Sequence, residues 1–202
     1  MKKGCSKLQR LGAYIIDYIF ILLLITLLGQ IRFLNPTFDE YYKTYDESME
    51  MINNTNEEDI FKLLESEEYS LANYNLAKYS VSISIISIIV YLGYFVGFQK
   101  WNKNQTLGKK LFNIEVASIE NTDVKWWQIL FREIIIYNLI AEILYVILIL
   151  FLNVNSYFMI SNIILAISSL ISLINVILIL FRKDGRGLHD LLAKTIVVEK
   201  DR

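Results

Sequence analysis

The sequence predicts an all-α membrane protein: a four-transmembrane-helix bundle with a short β pairing and an interfacial helix at the cytoplasmic interface. Its 202 residues are 54% hydrophobic and include one proline. The mean hydropathy of +0.40 is too high for an ordinary soluble domain. Four apolar windows, at about residues 11–31, 79–98, 134–152 and 157–181, reach the roughly 20 residues that a membrane-crossing helix needs.

The first window is predicted to cross the membrane although it contains Asp17. Its Leu, Ile and Phe residues each favour insertion by roughly 0.3 to 0.6 kcal/mol, and together they outweigh an aspartate that costs about 3 kcal/mol. The window is too long for the apolar part of a signal peptide, and no small-residue cleavage site follows it. We therefore expect this helix to be retained.

The distribution of basic residues predicts that both termini are cytoplasmic, because cytoplasmic segments carry an excess of Lys and Arg. The loop 99–128 is also basic and is predicted to be cytoplasmic, whereas the loop 35–78 is dense in Asp and Glu and is predicted to be extracytoplasmic, with one or two short helices. No internal repeat or linker divides the chain, so we expect one domain over residues 1–202 in the cell membrane. The basic residues of the two termini are Lys2, Lys3, Lys7, Arg10, Arg182, Lys183, Arg186, Lys194, Lys200 and Arg202.

Three acidic residues in or beside the windows, Asp17, Glu133 and Glu142, are informative because charge is costly in hydrocarbon. Asp17 lies roughly 10 Å along the helix axis from Arg10. We therefore expect Arg10 to reach the headgroups and Asp17 to pair with Arg132 or Arg186 of another segment. Glu142 lies near the middle of the third window, farther than any arginine readily reaches. Two hypotheses stay open: these acids fix helix packing, or they take part in moving ions or protons.

The stretches "TLGKKLFNIEVAS" and "TIVVE" predict two short strands that pair with each other. Between the fourth window and the second strand, "GLHDLLAK" predicts a short interfacial helix, on which Arg186 and Asp190 are four residues apart and able to pair. His189 is the single histidine. A histidine titrates near neutral pH, so one hypothesis is a proton relay from His189 to Asp17, and the other is a structural role beside Asp190.

Three ordered stretches, "QRLGAYIIDYIF", "NQTLGKKLFNIEVAS" and "DGRGLHDLLAKTIVV", resemble the signature blocks of the RDD family. These are bacterial multi-pass membrane proteins named for one arginine and two aspartates. The resemblance implies that Arg10, Asp17 and Asp190 are the three named residues. It also implies a role in cation/proton exchange, as in some members, or in membrane attachment of another domain. The acidic loop is longer than the family pattern, and Lys194 replaces the usual small residue after "LLA".

Other chemistry has little support in the sequence. No serine elbow or complete glycine-rich phosphate loop is present, so we expect no enzymatic activity. One histidine and one cysteine would leave a zinc site dependent on carboxylates, so no metal or cofactor is expected. The basic inner surface is expected to attract anionic lipid headgroups rather than nucleic acid.

Two functional hypotheses remain. In the first, the protein transports cations or protons through Asp17 and Glu142, and forms a homo-oligomer because four helices make a thin pathway. In the second, it is a non-catalytic membrane module that assembles with or regulates another membrane protein. The family residues and the proposed buried charge network together comprise Arg10, Asp17, Asp190, Arg186, Arg132, Glu142 and His189.

Overall fold

The computed structural model describes residues 4–120 and 122–200 and is mostly helical. The predicted basic residues Lys2, Lys3 and Arg202 lie outside these described residues. In chain order the elements are α1 (Lys7–Gly29), α2 (Phe38–Asn53), a 3-10 turn (Glu57–Asp59), α3 (Ile60–Leu64), α4 (Glu67–Tyr79), α5 (Val81–Tyr91), a π-helical segment (Leu92–Phe98), α6 (Gln99–Trp101), α7 (Leu107–Leu111), β1 (Ile114–Ser118), α8 (Trp126–Ile136), α9 (Leu139–Phe151), α10 (Val154–Phe181), α11 (Leu188–Leu192) and β2 (Thr195–Glu199).

Within the described residues, three helices are long and apolar enough to cross a membrane: α1, the continuous helix Val81–Trp101, and α10. The pair α8 and α9 reaches that length only as a bent unit, with 68° between its two helices. Where the sequence predicts one window at 134–152, the structure therefore has a broken helix. The break is at Asn138, whose φ of 50° is left-handed, a conformation that asparagine adopts more readily than most residues.

The acidic segment between α1 and α5 is more helical than the one or two short helices expected. It contains α2, α3 and α4, with the side chain of Ser66 accepting a hydrogen bond from the Tyr69 backbone at the start of α4. Tyr74 on α4 donates a hydrogen bond to the Leu152 carbonyl at 2.7 Å. This bond ties the segment to the end of α9.

The predicted pairing of the two strands is confirmed. β1 and β2 are antiparallel, with Val116 opposite Val197 at the centre of the register. Ile114 and Val197 form a buried cluster with Ala13 of α1. The small sheet is thus packed directly against the first long helix.

A structural repeat, which sequence reading missed, forms this end of the molecule. In α7–β1 and in α11–β2, a five-residue helix is followed by two linking residues and a five-residue strand. The second linking residue is left-handed in both units, Asn113 with φ 54° and Lys194 with φ 52°. The two units pair through their strands, so each places a short helix beside the long helices.

The left-handed conformation of Lys194 leads to a stability prediction. Because the left-handed region costs an L-residue about 1 kcal/mol and costs glycine little, Lys194→Gly is expected to raise the free energy of unfolding by about 0.5–1 kcal/mol. The measurement is a denaturant titration of the purified protein in detergent. Lys194→Ala is the matched control, because it also removes the exposed ion pair with Glu120 but keeps the strain. Equal stabilities of the two variants would contradict this account.

Candidate functional site

A cluster of buried charges joins three separate segments of the chain. Asp190 on α11 is fully buried and receives two guanidinium groups. Arg132 on α8 donates to one carboxylate oxygen at 2.7 Å, and Arg10 on α1 donates to the other. Burial acts to raise the pKa of Asp190, but the charges of Arg132, His189 and Arg10 outweigh it and hold that pKa well below its usual range. Asp190 is therefore the anionic centre on which the three segments converge.

His189 lies beside this centre and is almost completely buried. Its Nε2 is 3.2 Å from Asp190 Oδ2, and its Nδ1 is 2.7 Å from Asn175 Oδ1 on α10. Burial lowers the pKa of His189, with the Asp190 charge acting in the opposite direction. The contact between His189 and Asn175 connects α11 to α10. The relay from His189 to Asp17 stays a prediction.

Asp17 has a different set of partners from those predicted. Tyr94 of the π-helical segment donates its hydroxyl to Oδ1 at 2.6 Å, and the Gly108 backbone N–H donates to the same oxygen at 2.8 Å. Thr106 donates its hydroxyl to Oδ2 at 2.5 Å. Three donors thus satisfy this buried carboxylate at the start of α7. The predicted pairing of Asp17 with Arg132 or Arg186 is therefore wrong, because neutral donors from nearby segments occupy its carboxylate oxygens.

A further ionisable group, Lys109, is not among the residues predicted from the sequence, and its side chain is 13% exposed. Its Nζ donates to Gln99 Oε1 at 2.5 Å and lies 4.0 Å from Glu133 Oε1. The Gln99 amide donates to the same Glu133 oxygen at 3.4 Å, and Arg132 Nε lies 3.2 Å from it. Burial lowers the pKa of Lys109, while Glu133 opposes that effect. Proton loss from this lysine is therefore less costly than from an exposed lysine.

Apart from Asp190, the charged groups of this site line one cavity of about 620 Å³. A volume of this size lies within the range of about 300–1,000 Å³ that is typical of small-molecule sites. Hydroxyls and amides from Tyr14, Tyr137, Asn138, Ser172 and Asn175 also face it. The acidic and basic side chains among its lining residues are those of Lys7, Arg10, Asp17, Lys109, Arg132, Glu133 and His189.

Two predicted residues lie outside this arrangement. Arg186 pairs with Asp184 at 2.8 Å, so the predicted pairing of Arg186 with Asp190 or Asp17 is not formed. Glu142 lies on an exposed part of α9 and is not among the residues that line the cavity. The 68° break between α8 and α9 changes the direction of the chain before Glu142. The carboxylate that shares the cavity with Asp17 is instead Glu133.

Some of the missed residues left a signal in the sequence. The run "FQKWNKNQTLGKK" places Gln99, Thr106 and Lys109 directly after an apolar helix, and a threonine immediately before an apolar residue is typical of a helix start. Glu133 is an acidic residue beside the third window, but the sequence assigns it no partner. Tyr94 lies on a polar face of the second window, but no feature of the sequence assigned it to Asp17, because tyrosines are common in this chain.

The long apolar helices, together with a charged cavity at one end of them, define a multi-pass membrane protein. The RDD family model matches residues 6–194, and the chain belongs to the RDD family. Comparisons with curated proteins and with solved structures give no match. Of the three residues that the family pattern assigns, Arg10 and Asp190 form an ion pair, whereas Asp17 holds the start of α7.

Proposed function

We propose that this RDD protein exchanges small cations for protons through the charged cavity. The observation that carries the proposal is a lysine, 13% exposed, beside a fully buried carboxylate in a space that also contains Asp17. Buried ionisable groups within a membrane protein commonly mark ion or proton pathways. The proposal changes one part of the sequence hypothesis, because Glu133 takes the role first given to Glu142.

The exchange step follows from the contacts of Lys109. A monovalent cation that binds the Glu133 carboxylate and the Gln99 carbonyl oxygen would take the place of the Lys109 ammonium. Burial already disfavours the charged lysine, so Lys109 then releases one proton and the site keeps its charge. Protonation of Lys109 reverses the step and expels the cation. One cation is exchanged for one proton.

The proposed topology has four membrane crossings, with α8 and α9 counted together as one bent crossing. An even number of crossings places both termini on the same side, and their basic residues favour the cytoplasm. The acidic α2–α4 segment then faces outward. The protein acts in the cell membrane and, in this proposal, carries out no covalent chemistry and binds no nucleic acid.

Flux through proteoliposomes tests the transport proposal. Glu133→Gln is expected to lower pH-coupled sodium, potassium or lithium flux by about tenfold or more, because a charge-assisted contact is worth about 1.5–3 kcal/mol. Glu142→Gln is the matched control and is expected to keep wild-type flux, because Glu142 lies away from the cavity. Lys109→Gln is expected to abolish the coupling of cation movement to protons.

Each variant is first checked for a monodisperse elution profile, since Glu133 also contacts Arg132. If wild-type protein moves none of these cations, the transport proposal is rejected. It is also rejected if folded Glu133→Gln and Lys109→Gln retain full coupled flux.

The second candidate function is a membrane module that assembles with a partner membrane protein or with other copies of the chain. One observation favours it: of the 28 residues of α10, only Tyr157 and Asn175 are buried within the chain. A helix so little covered has its surface available for another helix. In that case, wild-type protein would show no flux, and cross-linking from α10 in native membranes would capture a defined partner.

A further inference from the structure

The charged cavity has an open side between α1 and α10. On α1, Leu8 and Leu11 are 79% and 54% exposed, and on α10, Val176 and Leu180 are 50% and 53% exposed. All four residues line the cavity. Because both helices are apolar enough to cross a membrane, this opening is a groove whose walls suit hydrocarbon. We call it the α1–α10 groove.

One end of the groove carries an excess of positive charge. Lys7 Nζ reaches across the groove and donates to the Leu180 carbonyl at 2.6 Å. Among the described residues, no carboxylate forms an ion pair with Lys7. The adjacent residues 182–186 include Arg182, Lys183 and Arg186 but a single acid, Asp184. Arg10 donates to the Gly185 carbonyl, which places this basic segment beside the same end of the groove.

We propose that the α1–α10 groove binds one anionic phospholipid. The phosphate lies at Lys7, and one acyl chain lies along the apolar walls formed by Leu8, Leu11, Val176 and Leu180. A cationic end joined to an apolar slot matches a headgroup joined to hydrocarbon. This assignment goes beyond ion exchange and does not depend on it, because the lipid contacts the outer walls whereas Glu133 and Lys109 lie inside.

Charge favours a lipid over a second copy of the chain as the occupant. In a symmetric dimer formed through this groove, the basic ends of both copies would be brought together by the two-fold relation. Like charges placed opposite each other oppose association. A phosphodiester instead supplies the negative charge that this end of the groove lacks.

Lipid binding is tested on the full chain in detergent by native mass spectrometry, with phosphatidylglycerol and phosphatidylcholine titrated separately. We expect one phosphatidylglycerol to bind about fivefold more tightly than phosphatidylcholine, the effect of one lysine near an anionic headgroup. Lys7→Gln is expected to remove this preference. Lys110→Gln is the matched control, because Lys110 is exposed but does not line the groove.

A second pair of variants tests the acyl-chain position without altering charge. Val176→Trp fills the groove and is expected to lower the affinity for both lipids by about tenfold, whereas Ile174→Trp, on another face of α10 and outside the groove lining, is expected to leave it unchanged. Inorganic phosphate at millimolar concentration is expected not to displace the lipid. Equal binding of the two lipids, equal behaviour of Lys7→Gln and Lys110→Gln, displacement by phosphate, or full binding by Val176→Trp would overturn the assignment. The readout involves no flux, so its failure is distinct from failure of the transport proposal.

Discussion

Replacement of Arg132 by methionine is expected to lower the free energy of unfolding by about 3–5 kcal/mol, the usual cost of removing one partner from a buried ion pair. Arg132 is 2% exposed and contacts both Asp190 and Glu133. Methionine fills similar space but supplies no hydrogen-bond donor, so the two buried carboxylates lose their shared cation. Lysine at this position is expected to recover part of the lost stability because it restores a positive charge. The recovery is incomplete because lysine lacks the planar fork that contacts two carboxylates at once.

The measurement is a denaturant titration in detergent, monitored by circular dichroism. Arg182→Met is the matched control: Arg182 pairs with Asp184 but is 38% exposed, and exposed pairs contribute at most about 1 kcal/mol. A double variant, Arg132→Met with Glu133→Gln, is expected to be more stable than Arg132→Met alone because it removes a buried carboxylate that has lost its nearer cation. If the double variant is no more stable, the charge account of this site is wrong.

Substitution of Gly108 by alanine is expected to cost about 3 kcal/mol or more. A Cβ atom at this position would lie 2.2 Å from the Ala13 carbonyl oxygen and 2.9 Å from Asp17 Cγ. The Ala13 carbonyl oxygen belongs to the backbone of α1 and cannot change rotamer, so α7 has to move away. That movement breaks the hydrogen bond from Gly108 to Asp17, which adds to the usual cost of overpacking of about 1–3 kcal/mol.

Gly93→Ala is the control for Gly108→Ala, because no atom lies within 4 Å of a Cβ built there. Alanine is favoured over glycine within a helix by up to about 1 kcal/mol, so this variant is expected to be neutral or slightly more stable. Unfolding in detergent is compared for the two variants in the same titration. Wild-type stability in Gly108→Ala would show that α1 and α7 do not approach as closely as described.

Several features were predictable from the sequence because they depend on local composition or on periodicity. The length and apolarity of the windows that became α1, Val81–Trp101 and α10 predicted membrane-crossing helices. The β-branched run at 195–198 and the alternation after Asn113 predicted the paired strands. Three ordered motifs identified the RDD family over residues 6–194. Each of these signals lies within one element or one short stretch of chain.

The partners of the charged side chains were decided by the tertiary structure alone. Arg10 meets Asp190 across 180 positions of sequence, and Arg132 meets Asp190 across 58. By their depth in the sequence, Arg132 and Arg186 were both possible partners of Asp17. Because α7 packs against α1, the Thr106 hydroxyl and the Gly108 N–H donate to Asp17 instead. Composition determines which residues enter the membrane region. The rotation of each helix about its axis and the break at Asn138 determine which charges then face one another, and packing between distant segments sets both.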